Sequence, residues 1–148
     1  MPLIRDYIAE HEQIVDAGNE ALRAMARADG EAAGGSLALM QELLTSHWAG
    51  EEAGVFSVMS EIEDSYAAYV DVLVHEHRSL AAFLDGIDVS LAAHRERLGF
   101  EVRALAEHIE REEDGLFPAS LTALSGSQWD RAITAWKTAH PGREMITD

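Results

Sequence analysis

The sequence contains no cysteine among its 148 residues. A disulfide framework and a thiolate-ligated zinc or iron–sulfur site are therefore excluded, and any bound metal ion must take nitrogen and oxygen ligands. Proline is nearly as scarce: the three prolines stand at positions 2, 118 and 141 and leave the interior free for long helices. Together with abundant Ala, Leu, Glu and Arg, this favours an all-α fold.

Basic side chains are also few, since 11 Lys and Arg stand against 27 Asp and Glu, for a formal net charge of −16. Such a chain repels phosphate backbones and anionic lipid surfaces, so we expect neither nucleic acid nor a membrane as a partner. The sequence lacks a long uncharged apolar run and the residue order of a secretion signal. We therefore expect a cytoplasmic protein, and the acidic surface favours a monomer.

Apolar residues recur at steps of three and four residues along four stretches, which predicts four amphipathic helices. The first runs from about Leu3 to Arg27, and a glycine-rich turn over Gly30–Gly35 separates it from the second, which begins near Ser36. The third spans about residues 64–84. The fourth begins near residue 90 and is expected to end at Pro118, because proline cannot continue a helix.

A shorter fifth helix is predicted over about residues 127–139, with Ser127 as its N-cap and Pro141 beyond its end. We expect this helix to pack against the others as a lid. No linker or low-complexity stretch divides the chain, so residues 1–148 are expected to form a single domain.

A histidine occupies a position in the middle of each of the four apolar stripes where the periodicity predicts a hydrophobic residue. These four residues are His11, His47, His77 and His108. Two of them begin the same local pattern, in which a glutamate follows at the fourth position, then a second glutamate, a glycine and a phenylalanine; the two copies lie 61 residues apart. The chain therefore resembles two related helix pairs, each with one lone histidine and one His-x3-Glu.

A spacing of four residues places Glu51 beneath His47 and Glu112 beneath His108 on one helix face. A carboxylate has two oxygens, so glutamates that face each other across a bundle can bridge two cations about 3.5–4 Å apart, with histidines at the outer positions. Burying a glutamate is costly unless it is paired or bound to metal, so packing alone explains this pattern poorly. Iron fits this ligand set best, with manganese and zinc as the alternatives.

The other acidic and histidine side chains near these positions are expected to lie outside the ligand set. His75 is about 200° round the helix from His77 and should face away. Two further histidines are expected at the surface, His94 and His140. Glu52 and Glu113 lie about 100° from the ligand face, which favours a supporting or solvent-exposed position over coordination.

At these residues the sequence resembles the hemerythrin-like family, the HHE cation-binding domains, over about residues 3–118. The family pattern is a histidine on the first and third helices and His-x3-Glu on the second and fourth, and it is clearest over residues 108–118. The resemblance implies an up-down four-helix bundle, here with an additional C-terminal helix. It also implies a di-iron centre bridged by the two glutamates and an oxo or hydroxo group, with the metal ligands His11, His47, Glu51, His77, His108 and Glu112.

The sequence departs from the oxygen-carrying hemerythrins at two places. Those proteins have a second third-helix histidine in a His-x3-His arrangement, whereas Leu73 and Ala81 stand at that spacing from His77. They also have a longer His-to-Asp spacing on the fourth helix, where this chain has Glu112. One iron would then lack a nitrogen ligand, to be replaced by water, hydroxide or a carboxylate.

The resemblance implies a non-haem di-iron protein that binds dioxygen, nitric oxide or peroxide at an open iron position, as a sensor, scavenger or carrier. An enzyme that turns over hydrogen peroxide or nitric oxide at the same centre is the alternative. A second alternative is an iron-responsive regulatory module, in which metal occupancy stabilises the bundle. The preferred small molecule and the redox partner stay open.

Overall fold

The computed structural model describes residues 1–146, which are built from helices and turns with no strand in that range. This confirms the predicted all-α class. The helices are α1 (Pro2–Ala26), α2 (Gly30–Glu51), α3 (Ser57–Ile62), α4 (Asp64–Asp85), α5 (Ala92–Arg111), α6 (Phe117–Ala123) and α7 (Gly126–Ala139). Two π-helical turns interrupt them, π1 (Glu52–Phe56) after α2 and π2 (Glu112–Leu116) after α5. None of the helices in this range is long and apolar enough to cross a membrane.

The helices pack side by side around two apolar clusters. Helix α1 packs along α2 and against α5, α4 contacts α2, α3 and α5, and α7 packs on α2 and π1. One cluster includes Ile14, Leu44 and Leu98, and the other includes Tyr7 and Phe117. His11 on α1 and His77 on α4 fall between these clusters. A polar layer therefore crosses the interior between two apolar cores.

The turn between α1 and α2 lies earlier in the chain than the sequence predicts. The predicted turn over Gly30–Gly35 and the predicted start near Ser36 are wrong, because Gly30 already opens α2. The turn is made by Ala28, whose φ of 58° is left-handed. Asp29 then caps α2, its side chain accepting the N–H of Ala32 at 3.1 Å. This cap fixes the helix start ahead of the glycines.

Two further boundaries differ from their predicted positions. Pro118 does not end the fourth helix, because it lies in the first turn of α6, directly after a π-helical turn, and α6 continues to residue 123. Because the backbone is already irregular in the π-helical turn, the missing N–H of Pro118 does not interrupt the helix. The N-cap of α7 is Ser125 rather than Ser127. The side chain of Gln128 accepts the Ser125 N–H at 2.7 Å, which fixes that start.

Candidate metal centre

The six side chains predicted as metal ligands meet in one buried layer. Each of them is at most 4% exposed. They come from five elements, α1, α2, α4, α5 and π2, and they are His11, His47, Glu51, His77, His108 and Glu112. Distant parts of the chain therefore bring the imidazoles and carboxylates to one place, as expected from their positions in the apolar stripes.

Each of the two glutamates directs one oxygen toward each half of the layer. Glu51 Oε2 lies 3.2 Å from His47 Nε2 and 3.6 Å from His11 Nε2, and its Oε1 lies 3.6 Å from His77 Nε2.

Glu112 makes the corresponding contacts from the other side of the layer. Its Oε1 lies 3.1 Å from His11 Nε2, and its Oε2 lies 3.5 Å from His108 Nε2. We call the space beside His11 and His47 the A position.

The second half of the layer is formed by His77 and His108, whose Nε2 atoms are 3.1 Å apart. We call the space beside these two nitrogens the B position. Possible ligand atoms of His77, His108 and Glu112 all lie within 4.8 Å of one another, as do those of the A position with both glutamates. The layer thus contains two adjoining groups of possible ligands that share Glu112.

Six of the atoms that face the inside of the layer have no hydrogen-bond partner among the described residues. They are both carboxylate oxygens of Glu51 and of Glu112, with Nε2 of His11 and of His47. Burying an ionised carboxylate without a partner costs on the order of several kcal/mol, so these oxygens require a compensating cation, which is either a protonated imidazole or a metal ion. A pair of metal ions between the imidazoles and carboxylates would satisfy them, and the residues present therefore fit a dinuclear centre.

A further carboxylate holds the outer nitrogen of every one of the four histidines. The four Nδ1–carboxylate contacts are His11 with Glu113 at 2.7 Å, His47 with Glu10 at 2.6 Å, His77 with Glu52 at 2.8 Å and His108 with Glu76 at 3.1 Å. Because an ionised carboxylate can only accept, Nδ1 donates in each contact, and Nε2 is the inward nitrogen that can bind a metal ion once it carries no proton. The histidines are therefore held in the tautomer and orientation that metal binding needs.

Two of these outer carboxylates lie where the sequence predicts them, and two were missed. Glu52 and Glu113 have the supporting position expected from their angle to the ligand face. Glu10 and Glu76 were not singled out, although each directly precedes a predicted ligand histidine. The repeated Glu-His pair was the available signal, because it gives each half of the chain the same polar contacts.

The carboxylates make the layer favourable for positive charge. Burial by itself lowers the pKa of His11, but contacts with Glu112, Glu113 and Glu51 outweigh it and raise that pKa to about 12. Burial is likewise outweighed at His47, where Glu51 and a further carboxylate raise the pKa to about 9. Burial acts in the other direction on Glu51 and raises its pKa, but contacts with His47 and His11 outweigh burial and hold that pKa well below its usual value. A site that stabilises imidazolium ions also favours metal cations, which displace those protons.

A tyrosine hydroxyl contacts the backbone next to each π-helical turn. Tyr7 donates to the carbonyl of Gly50 at 3.1 Å, and Tyr69 donates to the carbonyl of Arg111 at 2.8 Å. These carbonyls lie three residues after the second-helix and fourth-helix histidines, directly before the two glutamates of the layer. The hydroxyls therefore support the backbone that carries Glu51 and Glu112.

Sequence reasoning missed these turns, although the repeated glycine was a signal. A Cβ on Gly54 would lie 2.9 Å from the Tyr7 hydroxyl, and one on Gly115 would lie 2.8 Å from the Tyr69 hydroxyl. Both glycines therefore leave room for the tyrosine that supports the turn. π-Helical turns are often found at functional sites, and here each lies at a glutamate of the layer.

The two positions differ in the space beside them. A cavity of about 190 Å³ adjoins the B position, bordered by Trp48, Leu80, Leu105, His77 and His108 among others. The Trp48 ring stacks on the His77 ring with centroids 4.7 Å apart. The space that adjoins the A position is only about 10 Å³, which is about the least that holds one water molecule. A small molecule therefore has more room at the B position.

The three histidines predicted to lie outside the ligand set differ in their exposure. His75 is exposed and His94 is partly buried, with its Nδ1 accepting the backbone N–H of Asp88. The prediction that His140 lies at the surface is wrong, because it is 5% exposed and stacks on Trp136. A histidine after the last helix carries no periodic signal, so only the folded chain reveals this position.

A family model matches most of the chain. The model is described as hemerythrin HHE cation binding domain and matches residues 3–120, a range that includes all six side chains of the layer and ends before α7. No curated protein and no solved structure matches the chain. Because the family match covers well over half of the sequence, the chain belongs to the hemerythrin HHE cation-binding domain family.

Proposed function

We propose that the chain is a non-haem di-iron protein, folded as an up-down four-helix bundle, that binds dioxygen or a related small molecule such as nitric oxide or peroxide. It would serve as a sensor, scavenger or carrier. The observation that carries the proposal is that two buried glutamates each direct oxygens toward both histidine pairs. A single metal ion would leave part of each carboxylate without a cation, whereas two bridged ions use all four oxygens.

The donor set supports iron as the metal. Four imidazoles with two carboxylates and no thiolate suit iron better than metals that prefer sulfur or an all-oxygen site. When bound, two irons would supply the redox chemistry that dioxygen and its relatives require. The remaining chemistry is that of the protein's own residues, which bind, orient and shield the ions.

The residues would divide that work as follows. His11 and His47 would hold one ion at the A position and His77 and His108 the other at the B position, with the two glutamates between them. The outer carboxylates fix the imidazole rings through Nδ1. Leu73 and Ala81 stand at the spacing from His77 at which oxygen carriers have a further third-helix histidine, and Leu73 is buried. The B position would therefore have one nitrogen ligand fewer than in those carriers, and it is the side on which a small molecule would bind.

An enzyme that turns over hydrogen peroxide or nitric oxide is the second candidate. The cavity beside His77 and His108 favours it, because an exchangeable position with space around it admits repeated substrate binding. Peroxide added to the iron-loaded protein distinguishes the two candidates. Continuous oxygen release beyond one equivalent supports the enzyme, and a single stoichiometric spectral change supports the binding protein.

The experiment that tests the proposal compares metal content and absorbance in wild type, Glu112→Ala and Glu110→Ala. Glu110 is exposed on α5, two residues before Glu112, and is the matched control. We expect two irons per chain in wild type and in Glu110→Ala, with a near-ultraviolet charge-transfer band that appears when the anaerobic protein meets air. Glu112→Ala should lose both features. A wild-type protein that is fully folded without metal, or that holds a single zinc, would refute the di-iron proposal.

A further inference from the structure

The described chain continues beyond the range of the family match, which ends at residue 120. We call residues 124–146 the C-terminal segment. Its helix α7 packs on α2, which carries His47 and Glu51, and on the π1 turn that follows. Trp136 of this helix is fully buried. The segment therefore packs, from outside the family domain, on the helix that carries two side chains of the layer.

Three side chains of the C-terminal segment converge on Glu10. Trp136 Nε1 donates to Glu10 Oε1 at 3.1 Å, His140 Nε2 lies 2.6 Å from the same oxygen, and Arg143 Nη1 lies 3.7 Å from it. The other oxygen of Glu10 accepts the Nδ1–H of His47 at 2.6 Å. Glu10 is thus held by the C-terminal segment on one side and orients a ligand histidine on the other.

These three side chains form a packed unit. His140 Nδ1 donates to the carbonyl of Trp136 at 2.7 Å, and the two rings stack with centroids 4.3 Å apart. The Arg143 guanidinium lies 5.3 Å over the Trp136 ring and 3.7 Å from Asp6, which also accepts the N–H of Ile146 at 2.7 Å. The contacts to Glu10 therefore depend on the whole segment being docked.

The equivalent carboxylate of the other half has no such support. Glu76 orients His108, and its second oxygen accepts from Arg111 of α5 at 2.6 Å. Its side chain is 36% exposed, against 4% for Glu10. The other outer carboxylate of the B position is Glu52, in the π1 turn against which α7 packs. Neither Glu52 nor Glu76 makes a hydrogen bond or ion pair with residues 124–146, so among the described residues these contacts link the C-terminal segment to the A position.

We propose that the C-terminal segment positions Glu10, and through it His47, so that metal binding at the A position depends on the segment while binding at the B position does not. This inference rests on the two-metal site of the proposed function. Loss of a carboxylate partner of a ligand histidine typically costs about 10–100-fold in metal affinity. A loss at the lower end of that range, about 10-fold, is expected when the partner is kept but loses part of its own support.

The test uses Co²⁺ as the probe metal and Trp136→Phe as the main variant. Phenylalanine keeps a buried ring and removes the N–H that Glu10 accepts. The matched control for the other half is Arg111→Gln, which removes the guanidinium from Glu76. Titration should show that Trp136→Phe binds one of the two ions about 10-fold more weakly. The other ion should be weakened in Arg111→Gln.

Two backgrounds assign the weakened ion to its position. In His108→Ala, which leaves the A position with both its histidines, Trp136→Phe should still weaken the remaining ion. In His47→Ala it should leave the remaining ion unchanged. His140→Gln is the second variant in each background, in case Trp136→Phe fails to fold, because it removes a separate contact to Glu10.

A spectroscopic signature separates positioning from a general loss of stability. Each ligand histidine whose Nδ1 carries a proton gives a paramagnetically shifted, solvent-exchangeable proton signal in the Co²⁺-loaded protein. Trp136→Phe should shift the His47 signal or speed its exchange and leave the signals of His77 and His108 in place. A merely structural role would lower the melting temperature without selecting one signal.

The outcomes distinguish this inference from the proposed function. If wild type binds two Co²⁺ ions and both Trp136→Phe and His140→Gln bind them with unchanged dissociation constants, the role of the C-terminal segment is refuted and the two-metal site stands. If wild type binds fewer than two ions, the proposed function fails and this inference fails with it. Selective weakening of the ion at the A position supports both.

Discussion

Binding of a divalent metal to the metal-free protein should release protons, because the buried carboxylates hold protons on the ligand histidines. The carboxylates raise the pKa of His11 to about 12 and that of His47 to about 9, against the opposing effect of burial. Both imidazoles are therefore protonated at pH 7. An imidazole ligand must be neutral at the coordinating nitrogen, so filling the A position releases about two protons.

The number of protons fixes how metal affinity depends on pH. Each released proton contributes about a factor of ten per pH unit, so the apparent association constant at the A position should rise about 100-fold per unit near pH 7. Above about pH 9 His47 is already neutral in the metal-free protein, and only His11 still loses a proton. The dependence should then fall to about 10-fold per unit.

The stability of the metal-free protein should change in the opposite direction. The folded-state pKa of His47 lies above its ordinary value of 6.5, so its protonation stabilises the fold fully below about pH 6.5. That contribution is lost as the pH rises through about 9. Metal binding strengthens over the same range, so the gap in melting temperature between loaded and metal-free protein should widen from pH 6 to about pH 9.

Isothermal titration calorimetry with Co²⁺ measures this release directly. The observed enthalpy at pH 7 is plotted against the ionisation enthalpy of several buffers, and the slope is the number of protons released. Glu110→Gln, which changes an exposed carboxylate of α5, is the control and should give the wild-type slope. A slope near zero, with metal affinity independent of pH between 6 and 8, would refute the reasoning from the buried carboxylates.

Two further substitutions test other parts of the structure, each against a matched control. His77→Ala should lose about one metal ion per chain by metal analysis, whereas His75→Ala, an exposed residue of the same helix, should keep both. Gly54→Ala should lower the free energy of unfolding by about 1–3 kcal/mol in urea, because its Cβ would lie 2.9 Å from the Tyr7 hydroxyl. Gly35→Ala, exposed in a helix with open space around it, should raise it by up to about 1 kcal/mol. Equal effects within either pair would contradict the corresponding contact.

The meeting of the six polar side chains could be predicted because it follows from periodicity. A helix repeats every 3.6 residues, so a polar residue inside an apolar stripe must point into the core. This applies to His11 and to the His-x3-Glu pairs that begin at His47 and His108, and the structure buries all of these residues. Their role as metal ligands stays a prediction.

Features that depend on tertiary contact could not be predicted from the same pattern. The start of α2 depends on the cap formed by Asp29, which overrides the glycines that follow. The π-helical turn π2 before Pro118 departs from regular helix geometry, which periodicity assumes. The contacts of Trp136 and His140 with Glu10 join residues that lie far apart in the sequence. Periodicity gives the direction of a side chain within one helix, but not which residue of another element it meets.

The most direct test of the two-metal site is anomalous diffraction at the iron edge from crystals of the iron-loaded protein. The site predicts two peaks about 3.5–4 Å apart between Glu51 and Glu112. One peak should lie beside the Nε2 atoms of His11 and His47, at the A position. The other should lie beside the Nε2 atoms of His77 and His108, at the B position. A single peak, or peaks away from these six side chains, would contradict a dinuclear centre bridged by the two glutamates.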